Sequence, residues 1–460
     1  MKKIIAVFCF FVLIISSLHA QQGSRPVPFP SNSQLVWQGM EYYLFVHFGP
    51  NTFTDKEWGA GNEPEDAFNP GNLNCDQWCK TAKAAGAAGI IITAKHHDGF
   101  CLWPSKFSTH TVKESKWQNG KGDVLRDLSA ACKANGIKFG VYLSPWDRNH
   151  PQYGTPAYNE VYVGMMKEIF QHYGPIWELW WDGANGEGPN GKKQVYDWPL
   201  FKKTVRNLSP NTVIFSDLGP DIRWVGNENG IAGTTNWNTL NTEGFTPGAG
   251  APPQDTLNRG NVNGTNWIPA ECDVSIRKGW FYHPEEDITV KMPEQLFDLY
   301  LKSVGRGANL LLNVPADRKG WIHSNDSIAL IGFKKLRDQS FQHNLIDKRM
   351  IQTKSRTNKT EDLKTSVSSI VIWPEPVTIN CIVLKEKIAD GQFIENADIT
   401  LSNRGIAIKT LQVTTVGHQR IITFPSISIT ELSVVINKSK AKPKLSAIEA
   451  YAIPENLIEK

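Results

Sequence analysis

Up to about residue 345 the apolar positions follow two alternating patterns. Short apolar runs at residues 42–48, 89–93, 138–143, 176–181 and 212–216 predict strands. Between them, residues 75–85, 123–135, 160–172 and 198–207 read as helices, the second amphipathic and closed by Gly136. Residues 230–235 and 274–276 are weaker strand candidates. Residues 293–304 predict a helix with Pro293 at its start, 309–314 a late strand, and 326–342 a last long helix. Repeated strand-then-helix alternation implies a parallel sheet, and about eight units predict an α/β fold of the (β/α)8-like barrel type. The Gly-, Pro- and Asn-rich segment 245–264 reads as a long loop over the barrel mouth. Near Lys348 the pattern changes to short alternating runs separated by turn residues, which predicts a C-terminal antiparallel β-sandwich. The organisation expected is therefore a leader over 1–20, a barrel over 21–345 and a sandwich over 346–460.

Composition narrows the function classes. The 460 residues are 40% hydrophobic and 20% charged with a net charge of +4, an ordinary globular balance. No basic block stands out, so nothing predicts a nucleic-acid surface. Met1-Lys2-Lys3, an apolar run over 4–15 and Ser16-Ser17-Leu18-His19-Ala20 describe a secretory signal cleaved near Ala20. That run is too short for a permanent membrane span, and the mature protein is expected to be exported, to periplasm or medium, without stable membrane insertion. The remaining cysteines, Cys75, Cys79, Cys101, Cys132, Cys272 and Cys381, are too dispersed for a disulfide scaffold and are expected as buried thiols. The spacing of Cys75 and Cys79 admits a zinc pair, but no second pair at metal spacing accompanies it. Many of the 16 tryptophans sit beside Gly, His, Asp or Pro, which suits a cleft lined by flat rings.

The C-terminal ends of barrel strands carry the chemistry, so the residues there are the candidates. They are His47 after the first strand, His96 and His97 after the second, Tyr142 and Trp146 after the third, and Asp182 after Trp180-Trp181 on the fourth. Three histidines and an acid leave three readings open: a zinc site, a pocket for a hydroxyl-rich ligand, or structural histidines. Adjacent His96 and His97 would point to opposite sides if the strand continued, which weakens joint ligation. Glycoside hydrolysis needs a second carboxyl facing the first from another loop. Glu228, in a Gly/Asn loop after Trp224, is the best candidate, and Glu271 is its rival. The segment 186–193 superficially suggests a phosphate loop but lacks the required pattern.

With these residues in view, the chain resembles the α-L-fucosidases of glycoside hydrolase family twenty-nine. The resemblance rests on Phe45-Val46-His47-Phe48-Gly49, Lys95-His96-His97-Asp98-Gly99-Phe100 and Trp180-Trp181-Asp182-Gly183. It implies Asp182 as nucleophile, and His47, His96, His97, Tyr142, Trp280 and Trp58 as shapers of a fucose pocket. The motifs over 224–230 and 275–283 are similar to the branch that prefers α-1,3- and α-1,4-linked fucose, in which the acid/base falls on Glu228. Lys278 stands where that branch suggests proline, which would loosen the loop before Trp280. The resemblance implies no metal and no cofactor, a fucosylated glycan as substrate, and a retaining double displacement with the carboxyls about 5–5.5 Å apart. A broad-range fucosidase that includes α-1,2 linkages, a metal-dependent hydrolase and a non-catalytic fucose-binding lectin are the alternatives. The sequence does not specify the oligomeric state.

Overall fold

The structure is a computed structural model that describes residues 27–357 and 365–458. The expected leader over 1–20 lies outside the described residues. Eight parallel strands close into a barrel: β1 (Tyr42–Val46), β2 (Gly89–Lys95), β3 (Lys138–Leu143), β4 (Glu178–Trp180), β5 (Val213–Ser216), β6 (Ile222–Trp224), β9 (Ala270–Ser275) and β10 (Asn309–Asn313). A two-stranded ribbon, β7 (Thr239–Leu240) with β8 (Asn266–Trp267), lies between β6 and β9 in the chain. The helices are α1 (Asn32–Gln38), α2 (Pro50–Thr54), α3 (Cys75–Ala84), α4 (Val124–Asn135), α5 (Ala157–His172), α6 (Trp198–Leu208), α7 (Gln254–Arg259), α8 (Pro293–Lys302) and α9 (Ser324–Phe341).

Local chemistry explains most boundaries. The Asp123 side chain accepts from Arg126 N at 2.9 Å to start α4, and Gly136 at φ 71° ends it with its N–H on Cys132 O. β1 and β2 are buried at every position, because a barrel strand has side chains filling one face and helices covering the other. No helix among the described residues is long and apolar enough to cross a membrane.

Two expectations for the barrel are corrected. Residues 230–235 form no strand, and the sixth staple of the barrel is Ile222–Trp224. Arg223 disguises it: this side chain is fully buried outside the barrel wall, donating to Leu257 O at 2.7 Å, to Asn236 Oδ1 at 2.9 Å and to Ile268 O. A saturated guanidinium can sit inside, but its charge erases the apolar run that marks a strand. Segment 245–264 is not loop throughout, since it contains α7, whose Leu257 carbonyl is one of those acceptors.

The C-terminal domain is one hydrogen-bonded antiparallel sheet: β11 (Gln352–Thr357), β12 (Thr365–Glu386), β13 (Ile394–Asn403), β14 (Ile406–Val413), β15 (Arg420–Ser439) and β16 (Leu445–Tyr451). Runs that read as separate strands in the sequence join within β12 and β15, where register shifts near Ile372/Val377 and Ile379/Cys381 bend the pair around its own core. The barrel core continues into this domain through Cys381, Val383, Ile421 and Tyr451, with Tyr451 edge-on to Phe341 at 5.3 Å.

Candidate active site

On β4 the side chains alternate, so Glu178 and Trp180 face the barrel interior while Leu179 faces the helices. Trp181 packs outward on Trp198 at 5.4 Å, and Asp182 emerges at the mouth. Both of its oxygens are engaged: Ala184 N donates to Oδ1 at 2.7 Å, and Tyr142 OH donates to Oδ2 at 3.0 Å. Burial raises the Asp182 pKa above the ordinary carboxylate value, and these two donors work against the rise.

His47, His96 and His97 line the same cavity as Asp182. The expected divergence of His96 and His97 does not occur, for the chain leaves the extended conformation after Lys95. Gly99 N bonds back to His96 O at 3.1 Å, and the two rings lie 4.2 Å apart. Gly99 takes φ 86°, and a side chain there would collide with Asp147. Lys95 forms a fully buried ion pair with Asp147 at 3.2 Å, which fixes the loop carrying Trp146. Asp98, the acid of the His-His-Asp run, caps this turn through Phe100 N at 2.8 Å and does not line the cavity.

Burial holds all three imidazoles neutral, with His97 pushed down to about 3, His47 to about 4 and His96 well below its ordinary value. Their tautomers follow from their partners. Asn313 spends its Nδ2 on Ser275 Oγ and Trp280 O, both at 2.9 Å, so its Oδ1 accepts from His47 Nδ1–H at 2.8 Å. Ser144 donates to Trp146 O, so its oxygen accepts from His97 Nδ1–H at 2.8 Å. The Nε2 atoms of His47 and His97 are thereby left as acceptors, with His97 Nε2 3.7 Å from Asp182 Oδ2. Nδ1 of His96 has no protein partner. Such a set suits hydroxyl groups.

Tyr142, Trp58, Trp280 and Glu228 complete the sequence-predicted residues on this cavity, whose volume is about 170 Å³. That is below the roughly 300–1,000 Å³ of drug-sized sites and fits a single small ring. Trp280 lies 5.2 Å from His47, while Trp58 is 56% exposed at the rim, edge-on to His97 and to Trp146 at 5.5 Å. Glu228 sits on the exposed turn after β6, tied by Asn227 Nδ2 to Ile231 O at 2.9 Å. Its pKa is raised by partial desolvation and by the charges of Asp182 and Glu57, against a hydrogen bond from the Trp280 side chain. Two larger grooves, of about 830 and 1260 Å³, lie by Glu41, Lys138 and Thr212 at the N-terminal ends of the strands. In parallel barrels that end carries stability, not chemistry.

Sequence reasoning missed Glu57, Asp273, Phe45 and Trp180 as lining residues. Glu57 accepts from Trp280 N at 2.8 Å, Phe281 N at 3.0 Å and His283 Nε2 at 2.7 Å, so it clamps the Trp280 wall. Its position directly before Trp58 was the available signal. Asp273 accepts from Trp224 Nε1 at 2.9 Å at the root of the Glu228 turn. The rival acid Glu271 does not reach the cavity; it is fully buried below it, bonded to Trp180 Nε1 at 2.8 Å. Lys278 is exposed, and the loop is instead anchored by Arg277, paired with Asp326 and Asp287 at 2.8 Å each. Among the described residues, ligand atoms that converge as a metal group are those of Asp55, His283 and Glu285 at the rim, not the cavity histidines. Among the described residues the six cysteines are buried and unpaired by disulfides.

The α-L-fucosidase family profile matches residues 32–333. The chain is 38% identical to alpha-L-fucosidase 1 of Arabidopsis thaliana, over 98% of this chain and 94% of that protein. Among solved structures, a glycoside hydrolase 29 family member from an unknown rumen bacterium is 42% identical with a TM-score of 0.84, over 93% of this chain and 78% of that one. A family 29 fucosidase of Ruminococcus gnavus, solved in complex with fucose, is 28% identical with a TM-score of 0.83, over 94% and 96% of the two chains.

Proposed function

The chain belongs to the α-L-fucosidase family, and from that premise we propose that it is an exported, retaining exo-α-L-fucosidase that releases terminal α-1,3/1,4-linked L-fucose. The protein is a glycoside hydrolase with α-L-fucosidase activity. The observation that supports the finer reading is a pair of carboxyls, Asp182 and Glu228, opening into one small cavity with neutral histidines and aromatic rings.

In this reading Asp182 attacks the anomeric carbon, and Glu228 donates its proton to the leaving oxygen. Tyr142 and Ala184 N orient the attacking carboxylate, and Tyr142 remains protonated because burial and the Asp182 charge push its phenol well up. The acceptor Nε2 atoms of His47 and His97 accept hydrogen bonds from hydroxyl groups of the sugar, and the aromatic rings face its methyl group and ring carbons. Once the leaving group has departed, Glu228 takes a proton from water, which attacks the fucosyl–Asp182 ester from the vacated side. Two inversions give net retention.

The linkage preference is supported by the motifs over 224–230 and 275–283, which carry Glu228 and Trp280. Export is supported by the leader pattern of residues 1–20. Product analysis on Lewis-type, blood-group-H-type and aryl fucosides tests the proposal. Fucose release from the first and last, with α-fucose as the first-formed anomer, is expected. Equal release from the α-1,2-linked H-type glycan would overturn the linkage assignment, and β-fucose as first product would overturn retention.

A further inference from the structure

Glu271 lies two residues below Asp273 on the interior face of β9. Its Oε1 accepts from Trp180 Nε1 at 2.8 Å, and its Oε2 accepts from Tyr43 OH. Glu178 of β4 sits against the Glu271 carboxyl and takes the indole N–H of Trp37 at 2.9 Å on its Oε2. Both glutamates are fully buried. The ring that Glu271 holds is the floor of the cavity. Trp180 stacks on Phe215 at 4.0 Å and on Tyr142 at 5.3 Å, and the Tyr142 hydroxyl reaches Asp182.

We propose that Glu271, seated against Glu178, is a positioning residue of the sugar site: it fixes the indole of Trp180 and, through that ring, Tyr142 and Asp182. The inference rests on Asp182 being the attacking carboxyl.

Charge accounting supports it. The titratable groups facing the pair are Tyr43 of β1, Asp221 from the β5–β6 turn, and Asp273 of β9. None is a cation, and Asp221 is itself paired with Arg206 at 2.5 Å. Two adjacent carboxylates in such a site cannot both stay ionised, so the pair keeps a proton. Glu178 Oε1 accepts from no donor and is free to carry that proton. Burial, then mutual repulsion, holds Glu178 well above the ordinary carboxyl range. The folded state therefore binds a proton that the unfolded chain releases. This stabilisation is complete below the ordinary carboxyl pKa and is lost as pH rises through the elevated one.

The test measures three quantities for the full chain, Glu271→Leu and Glu271→Gln: labelling rate of Asp182 by a 2-fluoro-fucosyl fluoride, the labelled residue, and melting temperature from pH 6 to 9. Glu271→Leu removes the acceptor for Trp180 and should slow labelling by about 10- to 100-fold. Glu271→Gln keeps an acceptor for the indole and offers Glu178 an N–H where the shared proton lies. It should restore labelling to within about threefold and flatten the alkaline fall in melting temperature. If Glu271→Leu fails to fold, the pH dependence of Glu271→Gln decides. Wild-type labelling rates in Glu271→Leu, or an unchanged alkaline fall in Glu271→Gln, would overturn the proposal. A label found away from Asp182 in the native enzyme would instead overturn the nucleophile assignment, whatever Glu271 does.

Discussion

Asp182 and Glu228 receive different surroundings from the same cavity, and that difference separates their roles. Asp182 is fixed by two donors that favour its anion, whereas Glu228 stands on an exposed turn beside two other acids that favour its neutral form. Asp182→Ala should retain fucose binding and lose roughly four orders of magnitude or more in turnover, checked by calorimetry and steady-state kinetics. The pH profile follows from the two directions. Activity should rise as Asp182 ionises and fall as Glu228 deprotonates, with both limbs shifted above ordinary carboxyl values and belonging to the coupled pair. Glu228→Gln should abolish the alkaline limb and spare aryl fucosides with good leaving groups far more than glycan substrates. A preserved alkaline limb in this variant would assign the acid elsewhere.

Strand ends place these residues, and it is at the strands that the sequence speaks unevenly. β1 to β4 are apolar runs with polar residues at or just beyond their C-terminal ends, so His47, His96, His97, Tyr142 and Asp182 could be read directly. β6 could not, because a buried arginine occupies its middle and its partners are carbonyls more than ten residues away. Asp273 was hidden for a similar reason, since its donor, Trp224 Nε1, comes from a distant segment, and Glu57, held by Trp280 N, was marked locally only by its place before Trp58. The Lys95–Asp147 pair joins two of these strand ends. Asp147 also accepts from Tyr158 OH at 3.1 Å and His150 N at 2.8 Å; although burial opposes it, Lys95 and the backbone N–H groups of His150 and Asn149 hold its pKa low. Its stabilising contribution is present above the ordinary aspartate value and is lost as pH falls below it. Asp147→Asn leaves a buried ammonium without its counter-charge and should cost about 3–5 kcal/mol. Urea unfolding should reveal that loss at pH 7, and an unchanged midpoint would mean the ammonium finds water.

At the scale of the whole molecule, titrating groups oppose one another. Burial pushes Asp98 and Asp217 up to about 6, so both favour the folded state below their ordinary value of 3.8 and withdraw that support as pH rises through 6. Asp147, depressed, withdraws its support on the acid side. These groups should make the melting temperature fall between about pH 4 and pH 6, through Asp98 and Asp217, and again below about pH 4, through Asp147, as a series of thermal scans would show.

The C-terminal domain also acts on the barrel through hydrogen bonds between uncharged groups. Gln392 inserts between the backbone groups of the segment that follows the Glu228 turn. Asn238 N donates to its Oε1 at 2.7 Å, and its Nε2 donates to Asn236 O at 3.0 Å. Thr415 Oγ1 accepts from Asn236 N at 3.0 Å beside it. Asn236 in turn satisfies Arg223 of β6, so the brace runs from the sheet to the strand from which the acid/base turn departs. Gln392→Leu preserves bulk but orphans one buried N–H and one carbonyl, at about 1–3 kcal/mol for each. The expected result is a lower urea midpoint with an unshifted pH–activity profile, because the brace sets position and touches neither Asp182 nor Glu228. If the variant instead moved either limb of that profile while its stability stayed unchanged, the sheet would be acting on the chemistry by a route other than this brace.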